Sequence, residues 1–179
     1  MSKYKLVEEV HLTPSGVYLH RIQALVDLPG IASAGDLGGL IEHEGNLSQE
    51  GQAWISGDAC VYGNAKVYGS AQVYGSAQVS DRAQVSGNAK VYGHAQVNDD
   101  AQVSDNAQVN DDAQVSDNAQ VYGGAKVYGH AQVSGSAKVS GSAQVYGHAQ
   151  VYGHAQVSGD AQVTGNARLF GTVRVEGTA

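Results

Sequence analysis

From Ala53 onward the chain repeats one pattern of apolar and polar positions: Ala, then Gln or Lys, then Val, a variable residue, Gly or Asp, and a second variable residue. Ala65-Lys66-Val67-Tyr68-Gly69-Ser70 is followed by Ala71-Gln72-Val73-Tyr74-Gly75-Ser76, and the pattern runs to Val173-Arg174-Val175-Glu176-Gly177-Thr178. Residues 53–178 hold 21 hexads without insertion or deletion. Residues two apart in an extended segment share a face, so Ala and Val point inward and Gln or Lys outward. Gly, or Asp at 81, 99, 105, 111 and 117, supplies a turn, because both residues tolerate positive φ. Helix is excluded, since the apolar spacing has the wrong period and a Gly in every other turn would destabilise it. The prediction is a series of very short strands joined by tight turns.

Residues 1–52 do not repeat. Lys5–Leu12 and Val17–Val26 read as two strands, with Thr13-Pro14-Ser15-Gly16 as the turn between them. Asp36-Leu37-Gly38-Gly39 and Asn46-Leu47-Ser48-Gln49 follow. Ile41 and Leu47 fall at the Ala phase of the hexad, which places the start of an irregular first coil near Ile41. The expected organisation is an N-terminal cap over 1–52, covering the open edge of the first coil, and a repeat domain over 53–179.

The hexad, an aliphatic residue followed four positions later by a small one (Val67 then Ala71), resembles the hexapeptide-repeat left-handed β-helix family. That resemblance implies an all-β, single-stranded left-handed parallel β-helix, a triangular solenoid with three hexads per turn. Twenty-one hexads then make about seven 18-residue coils, roughly 33 Å of rod at about 4.8 Å per coil. With its Asp-Leu-Gly-Gly and Asn-Leu-Ser-Gln segments, the chain also resembles uncharacterised hexapeptide-repeat proteins of bacteriophages and enteric bacteria, often labelled acyltransferase-like or polymer-forming. The resemblance implies a phage or prophage accessory factor.

Composition narrows the partners. The net charge is −7, which disfavours direct binding of nucleic acid or anionic membrane, since both need a basic patch. The single Cys60 excludes an internal disulfide. No apolar leader is visible at the N-terminus and no apolar run approaches spanning length, so a cytoplasmic protein is expected, in the host cytoplasm if phage-encoded.

A turn of three hexads stacks outward residues into columns. One column after Val reads Ser56, Tyr74, Tyr92, Asn110, Tyr128, Tyr146, Thr164, and the adjacent turn column reads Asp58, Ser76, His94, Asp112, His130, His148, Asn166. Tyr74, Tyr92, Tyr128 and Tyr146 with His94, His130 and His148 form a candidate binding strip, because Tyr offers apolar area and a polar tip at little entropic cost. The same Val-Tyr-Gly unit also occurs on other faces, where Tyr serves as a strand former. Asp81, Asp99 and Asp117 stack on another edge, where a calcium ion would relieve their repulsion; the competing reading is Asp as a solvated turn residue. The acidic rod also suggests mimicry of DNA towards a basic cleft. Leu169, Phe170, Val173 and Val175 lie in the last coil, and an uncovered end there points to a tail-to-tail homodimer.

The expected function is a non-catalytic binding or scaffold protein that modulates or inhibits a host protein through the β-helix surface. Acyl transfer is the enzyme alternative, because many β-helices of this type use a His as general base. Here no loop interrupts the hexads, and His94, His130, His148 and His154 recur at equivalent turn positions. Sequestration of a small molecule or sugar, and self-assembly, are the remaining alternatives.

Overall fold

The computed structural model describes residues 2–177. Strand β1 (Tyr4–Leu12) pairs antiparallel with β2 (Tyr18–Ala24), and β2 pairs antiparallel with β3 (Leu37–Ile41). A 3-10 turn at Glu44–Asn46 follows, then β4 (Trp54–Ile55), β5 (Cys60–Val61), β6 (Lys66–Val67) and β7 (Gln72–Val73). One strand per hexad continues to β24 (Arg174–Gly177). Each repeat strand pairs in parallel with the strand three hexads further on; in the central coils Gln or Lys faces Gln or Lys and Val faces Val, while at the ends Trp54 faces Gln72, Cys60 faces Gln78 and Leu169 faces Val151. The chain is thus a β-solenoid of three parallel sheets and about eight turns, with an antiparallel pair of strands laid against its first coil.

The alternation read from the sequence decides which side chains go inside. From Ala59 to Val157 every Ala and Val of the hexad is buried. The core is a column of Val and Ala methyl groups, to which burial contributes roughly 25 cal/mol per Å² of apolar surface. Backbone ladders are closed from coil to coil, as in Gln96 N–H to Ala113 O at 2.9 Å and Asn98 N–H to Val115 O at 3.1 Å.

From Gly57 to Gly171 the Gly position of the hexads is in the left-handed region, and the Asp residues that replace Gly share it, with φ between 56° and 60°. They also do something Gly cannot. Asp111 Oδ2 accepts from Gly129 N at 3.0 Å, Asp105 Oδ2 from Gly123 N at 3.0 Å, and Asp117 Oδ2 from Gly135 N at 2.8 Å. Each of these carboxylates therefore caps the turn amide of the coil that follows.

The first coil departs from the expected phase. Ile41 pairs with Val61, and Leu47 bridges to Val67, so both sit at Val positions of the solenoid rather than at Ala positions. The cause is two extra residues between Leu47 and Ile55, which are eight apart where later Val positions are six apart. The added length carries Gln49, whose Oε1 accepts from Lys3 N at 2.7 Å and from Tyr4 N at 3.3 Å.

The start of the hairpin is thereby clamped over the first coil. Tyr4 Oη donates to Leu47 O at 2.8 Å, the Tyr4 ring meets Trp54 edge-on with centroids 6.5 Å apart, and Lys3 Nζ donates to Ala53 O at 2.7 Å. Ile22, Ala24 and Leu28 complete the lid and join the solenoid core. Gly38 and Gly39 permit β3 to lie this close. A Cβ on Gly38 would meet Ile55 O at 2.7 Å, and one on Gly39 would meet Ile55 Cγ2 and Ala59 O.

Candidate binding surface

Three columns of outward side chains run along the edges, and they differ in composition. The edge after β7 (Gln72–Val73), β10 (Lys90–Val91), β13 (Gln108–Val109), β16 (Lys126–Val127) and β19 (Gln144–Val145) carries Tyr74, Tyr92, Tyr128 and Tyr146, whereas Tyr62, Tyr68, Tyr122 and Tyr152 lie on the other two. The parallel register there advances by one whole coil without slippage, so equivalent side chains are stacked one coil apart. Tyr74 and Tyr92 lie with ring centroids 4.9 Å apart and planes 3° from parallel, and Tyr128 and Tyr146 repeat that geometry. The rings lean across the strand face: Tyr128 Oη donates to Gln144 Oε1 at 3.1 Å and Tyr146 Oη to Gln162 Oε1 at 3.3 Å. All four are half-buried. Burial pushes the Tyr74 phenol up, and the neighbouring Tyr92 adds to it. Burial raises Tyr128 likewise, with Tyr146 and Asp111 adding to the effect.

Beside this ladder runs the histidine column. His130 and His148 stack at 4.9 Å and 7°, and His130 Nδ1 lies 3.5 Å from Asp112 Oδ2. His94, His130 and His148 are exposed. Both columns are interrupted at one coil, by Asn110 and Asp112. The strip predicted from the sequence thus lies along one edge, as two aromatic pairs with a gap rather than an unbroken row.

The structure places the acidic column elsewhere. Asp81 Oδ2 accepts from Asp99 N at 3.4 Å, Asp99 Oδ2 from Asp117 N at 3.2 Å, and Asp117 Oδ2 from Gly135 N. These carboxylates are directed onto successive turn amides, and among the described residues no three His, Cys, Asp or Glu side chains gather into a metal-binding group. Nearby, Arg82 holds Asp100 with two hydrogen bonds, Nε to Oδ1 at 2.7 Å and Nη2 to Oδ2 at 2.5 Å. The capping of a turn amide falls at the first coil to Glu42, whose Oε2 accepts from Gly63 N at 2.6 Å.

Two features escaped the sequence reading. The hairpin tip (His11–Ser15) folds against Leu19, Leu40, Cys60, Tyr62 and Gln78 to enclose a half-open, mostly apolar pocket of about 410 Å³. Cys60 borders it with its thiol donating to Asp58 O at 3.3 Å. Burial and Asp58 push that thiol up against the opposing pull of Arg21. At the other end, Leu169 and Val175 are partly exposed, and Phe170 and Val173 are 59% and 43% exposed, with Phe170 stacked on Tyr152 at 5.7 Å.

A model of the YdcK beta-solenoid repeat matches residues 59–75, 113–129 and 149–165. Each matched stretch begins at the Ala before a strand of the hairpin-bearing sheet and ends at the Gly that follows the tyrosine edge. Their starting points are separated by three whole coils and then by two, so the recognised unit is in register with the stack. The chain is a β-helix repeat protein. Comparison with curated proteins finds no match.

Proposed function

We propose that this β-helix repeat protein is a non-catalytic binding scaffold that captures a partner protein through the Tyr/His edge, and that it acts as a phage or prophage accessory factor on a host protein in the host cytoplasm. The observation that carries the reading is the pair of stacked tyrosine ladders on one edge. A rigid row of aromatic rings spaced by the coil height provides contact area with little conformational entropy left to lose. The resemblance of the Asp-Leu-Gly-Gly and Asn-Leu-Ser-Gln segments to phage and enteric proteins supports the accessory role. The histidines sit at recurrent exposed turns, with Asp112 beside His130 as a solvent-facing pair, an arrangement suited to contact rather than to proton transfer within an enclosed site.

The test is capture from host lysate by tagged protein beside a Tyr92→Ala/Tyr128→Ala variant of unchanged circular dichroism. A discrete partner held by wild type and lost by the variant supports the reading. Equal capture by both refutes the assignment to this edge. A second reading, self-assembly, has its own observation: Leu169, Phe170, Val173 and Val175 present apolar surface on the last described turn. If a tail-to-tail pair forms there, Phe170→Asp converts a dimer to a monomer in sedimentation equilibrium; a wild-type chain that is monomeric at about 100 μM, a concentration at which typical specific interfaces are populated, removes it.

A further inference from the structure

We infer that the break in the tyrosine ladder at Asn110 is a slot for one planar aromatic ring that carries a hydrogen-bond acceptor at its outer edge, a phenol or an aryl carboxylate. The inference rests on the Tyr/His edge being a binding surface. Adjacent rings in the ladder are one coil apart, 4.9 Å between centroids. Tyr92 and Tyr128 are two coils apart in the same register, so by the same step their facing rings stand about 9.8 Å from each other, room for one further ring at ladder spacing. Asn110 is shorter than Tyr and half-buried, so it does not fill that space as a ring would.

The polar surroundings of the slot set the ligand. Tyr128 and Tyr146 place their hydroxyls on the residue 16 positions later, Gln144 and Gln162. For position 110 that residue is Lys126, an exposed ammonium on the strand side. A ring seated between Tyr92 and Tyr128 would therefore present its outer edge to Lys126, which donates and is positively charged. On the turn side, Asp111 is occupied by Gly129 N and Asp112 faces His130, so neither carboxylate is the natural partner of the incoming group. Nucleotides fit poorly, because their phosphates would lie against these acidic turns.

The experiment is a titration of the full chain, labelled at tyrosine rings and asparagine amides, followed by NMR. The probes are 4-hydroxyphenylacetate as a free aryl acid, N-acetyl-tyrosinamide as a stand-in for a partner's side chain, and cyclohexanecarboxylate as a non-planar control. Saturable shifts confined to Tyr92, Tyr128 and Asn110, with a dissociation constant on the order of millimolar for the aromatic probes and about tenfold weaker for the control, support the slot. The tighter of the two aromatic probes assigns the source. Asn110→Tyr, which completes a ladder that Tyr already builds at four coils, keeps the fold and abolishes the shifts. Lys126→Gln weakens the aryl acid several-fold and leaves the tyrosinamide within about twofold.

Equal binding of the control, unchanged binding by Asn110→Tyr, or no saturable shift overturns the slot. Failure of the surface-binding reading looks different: the probes bind while no partner is captured. Conversely, a partner captured through Tyr92 and Tyr128 by a chain that shows no saturable probe shift leaves that reading standing and overturns the slot.

Discussion

Replacing Asp117 separates the two tasks that a turn aspartate performs in this solenoid. Asp117 has φ 56° and its Oδ2 accepts from Gly135 N at 2.8 Å in the following coil. Asp117→Ala removes the acceptor and leaves a Cβ-bearing residue in the left-handed region without a side chain that bonds locally. Loss of an exposed hydrogen bond to a charged group costs about 1 kcal/mol, and the left-handed backbone about 1 kcal/mol more for Ala than for Asp. The sum is about 2 kcal/mol, or a melting temperature lower by about 4–8 °C for a chain of this size. Asp117→Gly loses the same bond but relaxes the backbone, and the two effects largely cancel, to within about 1 kcal/mol of wild type. Asp117→Asn keeps both an acceptor and tolerance of positive φ, so it too remains within about 1 kcal/mol. Thermal unfolding by circular dichroism measures the order, and hydrogen exchange at Gly135 N–H isolates the bond: protection falls in the Ala and Gly variants and persists in Asn. Equal stability of the Ala variant and wild type, or a Gly variant as unstable as the Ala variant, would refute the reasoning.

Other perturbations address the cap and the acidic column. Burial lowers the Lys3 ammonium to about 8, below its ordinary value, so the folded chain binds fewer protons there than the unfolded chain between pH 8 and roughly 10.4, and stability rises with pH across that window. Tyr4, raised to about 12 chiefly by burial, with Glu44 adding to it, opposes this only above roughly pH 10, where the unfolded phenol ionises first. A Lys3→Met variant compared with wild type by pH-dependent melting should lack the rise between pH 8 and 10; an unchanged slope assigns it elsewhere. Gly39→Ala drives a methyl group against Ile55 and the Ala59 carbonyl, at about 1–3 kcal/mol, and should loosen the lid, read as a red shift of the buried Trp54 fluorescence; an unshifted spectrum counts against the close approach. With the Asp81, Asp99 and Asp117 carboxylates engaged by turn amides, chelator and millimolar calcium should each leave the melting temperature within about 1 °C, whereas a calcium-dependent rise of several degrees would mark a cation in that column.

The repeat was legible because one physical constraint recurs in every hexad. Val97 and Val103 are both buried for the same reason, and Asp99 turns where Gly93 turns. The columns follow from the three-hexad turn, which places Tyr74 over Tyr92 by spacing alone. What the periodicity concealed was local. Counting back by six puts Ile41 and Leu47 at the Ala phase because it ignores a lengthened turn; the pairing of Ile41 with Val61 reveals the two added residues and the role of Gln49 in them. The bonds from turn carboxylates to amides depend on side-chain direction, which spacing does not specify. The pocket under the hairpin tip brings His11 and Leu12 to Cys60 and Gln78, a contact between segments far apart along the chain that no period encodes.

The absence of any register change between β4 and β24 has a genetic consequence. A gene of near-identical units invites unequal recombination, and the outcome depends on the length exchanged. Loss of one whole coil, for example 104–121, rejoins Val103 to Tyr122 in phase, shortens the rod by one storey, and leaves every later side chain on its own edge. It also deletes Asn110, so that Tyr74, Tyr92, Tyr128 and Tyr146 become one continuous stack. Loss of a single hexad also preserves the repeat, yet turns all later coils onward by one face, and Tyr128 and Tyr146 leave the edge that holds Tyr74 and Tyr92. The lineage can therefore vary length in whole turns without disturbing the pattern on each edge, and it can reshuffle that pattern in thirds of a turn without abandoning the fold.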